Sequence, residues 1–233
     1  MVDIAALKAA NARRWSVAKP TRNFVSVAKS LVAAKSRYVE VQNRTGVPWW
    51  FIAVVHEREA SQSWSGSLAQ GDPWNKVSVN VPAGRGPFNS WADAAVDALV
   101  HCAPYAAHNS DWSVGGLLTE FETYNGLGYA SHDEPSPYVW SGTDQYVRGK
   151  ILVDHGPIEP VVDVQPGCAG LLIAMQALDQ TIDVGKPIII MPKPALPEHV
   201  PSAPPSITKP AAGSIGAAIA SVLSAIASFF KRK

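Results

Sequence analysis

Apolar residues recur at three- and four-residue intervals through most of the first 180 or so positions, the spacing of helices that bury one face. The pattern predicts helices over 3–18 and 24–44. The first closes near Lys19-Pro20 and the second near Thr45-Gly46, because proline and glycine both end helices. Phe24, Val27, Leu31 and Tyr38 form the inward stripe of the second. Pro48 stands where a helix begins, and 49–62 reads as the next one. Between Gly66 and Gly86 the period changes. Val77-Ser-Val-Asn-Val81 alternates like a short strand among turn residues, which predicts a small β-hairpin lobe there. Asn89-Ser90 opens a further helix with Trp91, Ala95, Ala98, Leu99 and Cys102 on its apolar side. Asp111 is expected to cap another, carrying Leu117, Leu118 and Phe121 to Tyr124. Residues 127–166 show no period, and 166–182 reads as a last helix with Leu171, Leu172, Met175 and Leu178 inward. The expected fold class is mainly α (α+β), and a domain of this size buries about two thirds of its unfolded surface, enough without staples.

The helix over 49–62 carries the most informative residue. At about 100° per residue, Ile52, Val55 and His56 share the face of Glu59, while Glu57 points nearly the opposite way. A carboxyl group among aliphatic neighbours loses hydration, which disfavours its charged form and raises its pKa. A proton retained near neutral pH is what a general acid needs to protonate a glycosidic oxygen. The competing reading is a glutamate paired with an arginine at the edge of a core.

A second concentration of chemistry lies downstream. Glu122-Thr-Tyr-Asn-Gly-Leu-Gly-Tyr129 ends a helix on a glycine signal at Gly126 and leaves Tyr124, Asn125 and Tyr129 at its end. Ser136-Pro-Tyr-Val-Trp-Ser-Gly-Thr-Asp-Gln-Tyr146 follows, then Gly149-Lys150. Such clusters supply flat aromatic faces for pyranose rings and amide and hydroxyl groups for sugar hydroxyls.

His56-Glu-Arg-Glu-Ala-Ser61, Gln70-Gly-Asp-Pro-Trp74, Pro82-Ala-Gly-Arg-Gly-Pro87, Tyr124-Asn-Gly-Leu-Gly-Tyr129 and Ser136-Pro-Tyr-Val-Trp-Ser-Gly142 together resemble a bacterial and phage lysozyme-like family. That family is itself similar to goose-type lysozymes and soluble lytic transglycosylases. The resemblance covers roughly residues 40–184 and rests on the combined order of motifs. It implies a lysozyme-like fold, with Glu59 as the acid and Tyr124 and Asn125 lining a sugar groove. It implies cleavage of the β-1,4 bond between N-acetylmuramic acid and N-acetylglucosamine by a phage endolysin-like muramidase. Asp72 occupies the place where goose-type relatives carry a carboxylate that activates water, although Gly-Asp-Pro is equally a turn sequence. A lytic transglycosylase needs no such base, since the muramoyl 6-hydroxyl attacks internally and leaves a 1,6-anhydro product. Glu57, Glu120 and Glu122 are rival carboxylates. His56 can tune the acid or be a satisfied core histidine, and Arg58 and Gln62 can orient it or touch sugar. Trp74, Tyr129, Tyr138 and Trp140 are candidate stacking partners.

Composition narrows the classes. With 47% hydrophobic and 17% charged residues the chain reads as globular, and a formal net charge of +1 offers no footprint for nucleic acid. Cys102 and Cys168 are expected as buried thiols rather than a disulfide. His56-Glu57 does not begin a zinc motif, because position 60 is alanine where a second histidine is needed. No metal or other cofactor is expected. The first residues show no secretory signal, so synthesis in the cytoplasm is expected, and the resemblance to phage endolysins implies holin-dependent release to the cell wall.

The domain organisation expected is a lysozyme-like domain over 1–184, a proline-rich linker over 185–212 and an apolar helix over 213–233 with a basic end. The run from Ala211 to Phe230 is uncharged and has about the length that crosses a bilayer, roughly 20 residues. Ile215, Ile219, Val222, Ile226 and Phe229 face a small-residue side, and Lys231-Arg-Lys233 suits anionic headgroups. Spanning and surface-lying arrangements both fit. The leading expectation is therefore a peptidoglycan hydrolase for cell lysis. Its alternatives are a transglycosylase, or a non-catalytic glycan-binding domain with a membrane-disrupting helix.

Overall fold

The computed structural model describes residues 2–69, 71–153 and 156–185. Asp3 accepts a hydrogen bond from the Ala6 amide and so starts α1 (Ile4–Val17). The stretch expected as one helix over 24–44 is two, α2 (Val25–Ala33) and α3 (Lys35–Thr45), because Ala34 leaves the helical conformation between them. Gly46, at φ 76°, closes α3 in the left-handed form that glycine adopts without a Cβ clash. α4 (Trp49–Ala60) then runs through the middle of the molecule. Every residue from Trp49 to His56 is buried, the signature of a helix surrounded by others. α2, α3 and α8 (Cys168–Leu178) all pack on it.

Ser90 caps α5 (Trp91–His101) through the Asp93 amide. The helix that ends at Tyr124 is α6 (Val114–Tyr124), and its cap is Ser113 rather than Asp111. Ser113 Oγ takes the Gly116 amide, whereas Asp111 takes the Ser113 amide and the Lys8 ammonium, tying α1 to the start of α6. Within the aperiodic stretch 127–166 a short 3-10 turn forms at Ala130–His132, followed by the one-turn helix α7 (Pro137–Trp140), with proline at its first position.

The β content is not where the alternation predicts it. β1 (Lys150–Ile151) and β2 (Ile158–Glu159) pair antiparallel, Lys150 opposite Glu159 and Ile151 opposite Ile158. Among the described residues of 66–86 no strand forms, only an isolated bridge between Gly66 and Pro73. Val77, Val79 and Val81 point to solvent. Ser78 turns inward to bond the Pro82 carbonyl and the Arg85 amide, so the alternation marks a tied loop. The described residues are thus mainly helical with one small antiparallel sheet. No helix among the described residues is long and apolar enough to cross a membrane, and the apolar stretch 213–233 lies outside them, as does the linker apart from Gly185.

Phe51 of α4 stacks on Phe121 of α6 at 4.4 Å, and Cys102 and Cys168 are free thiols inside the core. Gly170 lets α8 approach α2 closely, since a Cβ there would overlap the Phe24 ring. Alanine in place of a helical glycine ordinarily adds about 1 kcal/mol of stability. Here the overlap costs about 1–3 kcal/mol and wins. Gly170→Ala is therefore expected to lower Tm, and a Tm equal to or above that of the unmodified protein in a thermal melt would contradict this packing.

Candidate active site

Glu59 sits in the last turn of α4, which Ser61 terminates in a left-handed conformation. Its Oε1 accepts a hydrogen bond of 2.6 Å from the phenol of Tyr138, a buried residue of α7. Burial pushes the Glu59 carboxyl upward, while the Tyr138 hydrogen bond and the Arg58 charge pull it back. The net direction is up. Tyr124 and Tyr138 are themselves raised, by burial first and the Glu59 charge next, which sets both rings within electrostatic reach of this carboxyl. Tyr124 donates to the Leu68 carbonyl at 3.2 Å and so holds the end of α6 against the chain beyond α4.

A cavity of about 540 Å³ is lined in part by Tyr138. Its walls are the turn from Asn125 to Tyr129, the strand Lys150–Ile151 and its continuation, and the side chains of Arg58, Asp163 and Tyr138. Glu59 is joined to this wall through Tyr138 and is not itself part of it. Gly126 makes the turn possible at φ 87°. Tyr129 accepts the Ile151 amide at 2.8 Å, which ties the small sheet to the turn after α6.

Several residues expected in the site are elsewhere. His56 is fully buried between the Tyr38 hydroxyl, 2.9 Å from Nδ1, and the Ser63 carbonyl, 2.9 Å from Nε2. A carbonyl only accepts, so Nε2 carries the hydrogen and Nδ1 receives that of Tyr38. Its ring packs against Trp64 and Trp91, leaving it no position for sugar. Gln62, at φ 61°, spends its amide on Glu57 at 2.8 Å and its carbonyl on Ser30 at 2.7 Å. Trp140 is wholly inside the core, with Nε1 directed at Asn11, and cannot stack on a ligand. Trp74 gives its Nε1 hydrogen to the Trp64 carbonyl at 2.9 Å and packs on the core away from the cavity wall.

Asp72 is fully committed. One oxygen accepts the amides of Val79 and Asn80 at 2.8 and 2.9 Å, and the other accepts the Asn80 side chain at 2.7 Å. The Asn80 amide leads the effects that lower its pKa. A carboxylate so satisfied is a weak base and a good clamp, here for the loop 72–80. Among the rival acids, Glu57 accepts from Gln62, and Glu122 is buried against Asn11 of α1 rather than solvated. Burial pushes Glu120 up to about 7.

Sequence reasoning missed Asp163 and the roles of Arg58 and Lys150. Arg58 lies over the Tyr138 ring at 4.3 Å and donates to the Pro166 carbonyl at 3.0 Å. Its Nη2 is 3.8 Å from Asp163, which also holds Lys150 at 3.2 Å. Asp163 comes from an aperiodic stretch, so no local pattern pairs it with a helix far earlier in the chain. Among the described residues no group of three or more His, Cys, Asp or Glu side chains is placed to hold a metal ion. The chain matches no family model, no curated protein and no solved structure.

Burial depresses His56 to about 4 in the folded protein. An unfolded histidine takes its proton near 6.5. Between those values unfolding binds a proton, so His56 contributes up to about 3 kcal/mol that is present above pH 6.5 and lost as pH falls to 4. Glu120 acts oppositely, because its folded form holds a proton that the unfolded chain releases above 4.5. Urea unfolding at pH 6.5 and 4.5 is therefore expected to show a smaller drop in stability for His56→Asn than for the unmodified protein. Equal drops would mean that the buried histidine is not held neutral.

Proposed function

We propose that this protein is a peptidoglycan-cleaving glycosidase of lysozyme-like fold, with Glu59 as its general acid. The observation that carries the reading is a desolvated Glu59, hydrogen-bonded by a tyrosine that also lines a cavity of about 540 Å³. Glu59 gives its proton to the glycosidic oxygen between N-acetylmuramic acid and N-acetylglucosamine. The C1–O4 bond breaks as an oxocarbenium-like sugar forms. Tyr138 then stabilises the new carboxylate by the hydrogen bond it already makes. Asn125 and Tyr129, on the cavity wall, are the groups offered to the glycan, and Tyr124 positions the turn that bears them.

The second half of the reaction turns on Asp72. Its three hydrogen bonds favour the intramolecular course over water activation. The muramoyl 6-hydroxyl attacks C1, the O6–C1 bond forms, and the hydroxyl proton returns to Glu59. The acid is regenerated without a second base, and the product is a 1,6-anhydro sugar. In this reading the chain serves cell lysis, with residues 213–233 contacting a membrane and a holin giving access to the wall.

Glu59→Gln keeps the shape and removes the donor, so turnover of purified wall should fall by about 10²–10⁴-fold with unchanged circular dichroism. Undiminished digestion would remove Glu59 from the mechanism. Mass spectrometry of the muropeptides should show the loss of water that marks the anhydro end. Reducing ends in its place would return Asp72 to the role of base. Tyr138→Phe removes a hydrogen bond that lowers the Glu59 pKa. The alkaline limb of its pH–rate profile should therefore move to higher pH, and a limb that stays or moves down would exclude this pairing.

A further inference from the structure

We infer that the cavity beside Tyr138 contains a subsite for a substrate carboxylate, formed by Arg58 and Lys150. The inference rests on the glycosidase reading and names the chemistry that reading leaves open. The charged side chains on the wall are two cations, Arg58 and Lys150, and one carboxylate, Asp163. His132, also on the wall, adds no negative charge at any pH. The surplus is one positive charge.

The cations are held differently from a closed ion pair. Arg58 has a side chain only 4% exposed, pinned by the Pro166 carbonyl below and the Tyr138 ring beside it. Its 3.8 Å approach to Asp163 exceeds the 2.7–2.9 Å of a charge-assisted hydrogen bond. The charge of Asp163 is also shared, since its other oxygen, Oδ1, holds Lys150 at 3.2 Å and accepts the Gln165 amide at 3.1 Å. Lys150 reaches solvent with 37% of its side chain exposed, and of its three N–H donors Asp163 uses one. A guanidinium this sheltered, with Asp163 shared with Lys150 and Glu59 turned to the Tyr138 phenol, is electrostatically under-compensated. An incoming carboxylate supplies the missing charge, with Lys150 as its direct donor and Arg58 as the fixed charge behind it. Peptidoglycan carries such groups on the lactyl arm of a bare muramic residue and on the stem peptide.

The probes are N-acetylmuramic acid, its methyl ester, muramoyl dipeptide and neutral chitotetraose, titrated by NMR into full-length protein carrying Glu59→Gln. The acid should bind about tenfold more tightly than its ester, the order expected for one charge-assisted contact. Lys150→Ala should erase that preference and Lys150→Arg should keep it, with chitotetraose affinity unchanged in both. A preference for the dipeptide over the free sugar acid would assign the subsite to the stem peptide, and the reverse would assign it to the lactyl arm. Equal binding of acid and ester, with chitotetraose still bound, overturns the subsite and leaves the glycosidase reading standing. Preference intact in Lys150→Ala overturns it too. No binding of any probe would remove the glycan reading and the subsite together.

Discussion

A hydrogen bond of 2.6 Å from the Tyr138 phenol to Glu59 Oε1 joins the last turn of α4 to the single turn of α7. Tyr138 is buried and Glu59 only partly exposed, so the contact is electrostatically stronger than it would be in water. It also sets a proton balance. Burial raises the pKa of the Glu59 carboxyl and the Tyr138 hydrogen bond lowers it, with burial the larger effect.

Three of the four polar residues in this turn of α4 part in different directions. His56 goes inward to Tyr38 and the aromatic cluster of Trp64 and Trp91. Arg58 goes toward Asp163 and Pro166, and Glu59 toward Tyr138. A central helix can carry three polar side chains only when each finds a partner, because an unpaired buried charge is costly. The walls around them are built to match. Tyr129 ties the sheet to the turn after α6, and Tyr124 ties that turn to Leu68.

Most helices were legible because their period is a local property. Those beginning near 4, 49, 91 and 168 follow their apolar spacing closely. The break at Ala34 escaped notice because neither side of it bears a proline or glycine. Glu59 was readable for the same local reason, as a carboxyl within an apolar stripe, and Tyr138 through its aromatic-rich neighbourhood. His56 and Trp140 misled. A polar or aromatic side chain near a functional motif has the same spacing whether it faces a groove or a core, and only its partners tell the two apart. Asp72 shows the matter from the other side, since a turn sequence carries no sign of which loop its carboxylate will clamp.

The sequence alone determined that the chain would be mainly helical and that Glu59 would stand on the apolar face of α4. Each follows from residue spacing along one segment. The tertiary structure alone decided that the strands would form at 150–151 and 158–159 and not at 77–81, and that Asp163 would meet Arg58 and Lys150. It also decided that Tyr138 would be the residue hydrogen-bonded to Glu59. Strand pairing and ion pairing join positions far apart in the chain, and their energies depend on distance and burial in three dimensions, which no local period encodes.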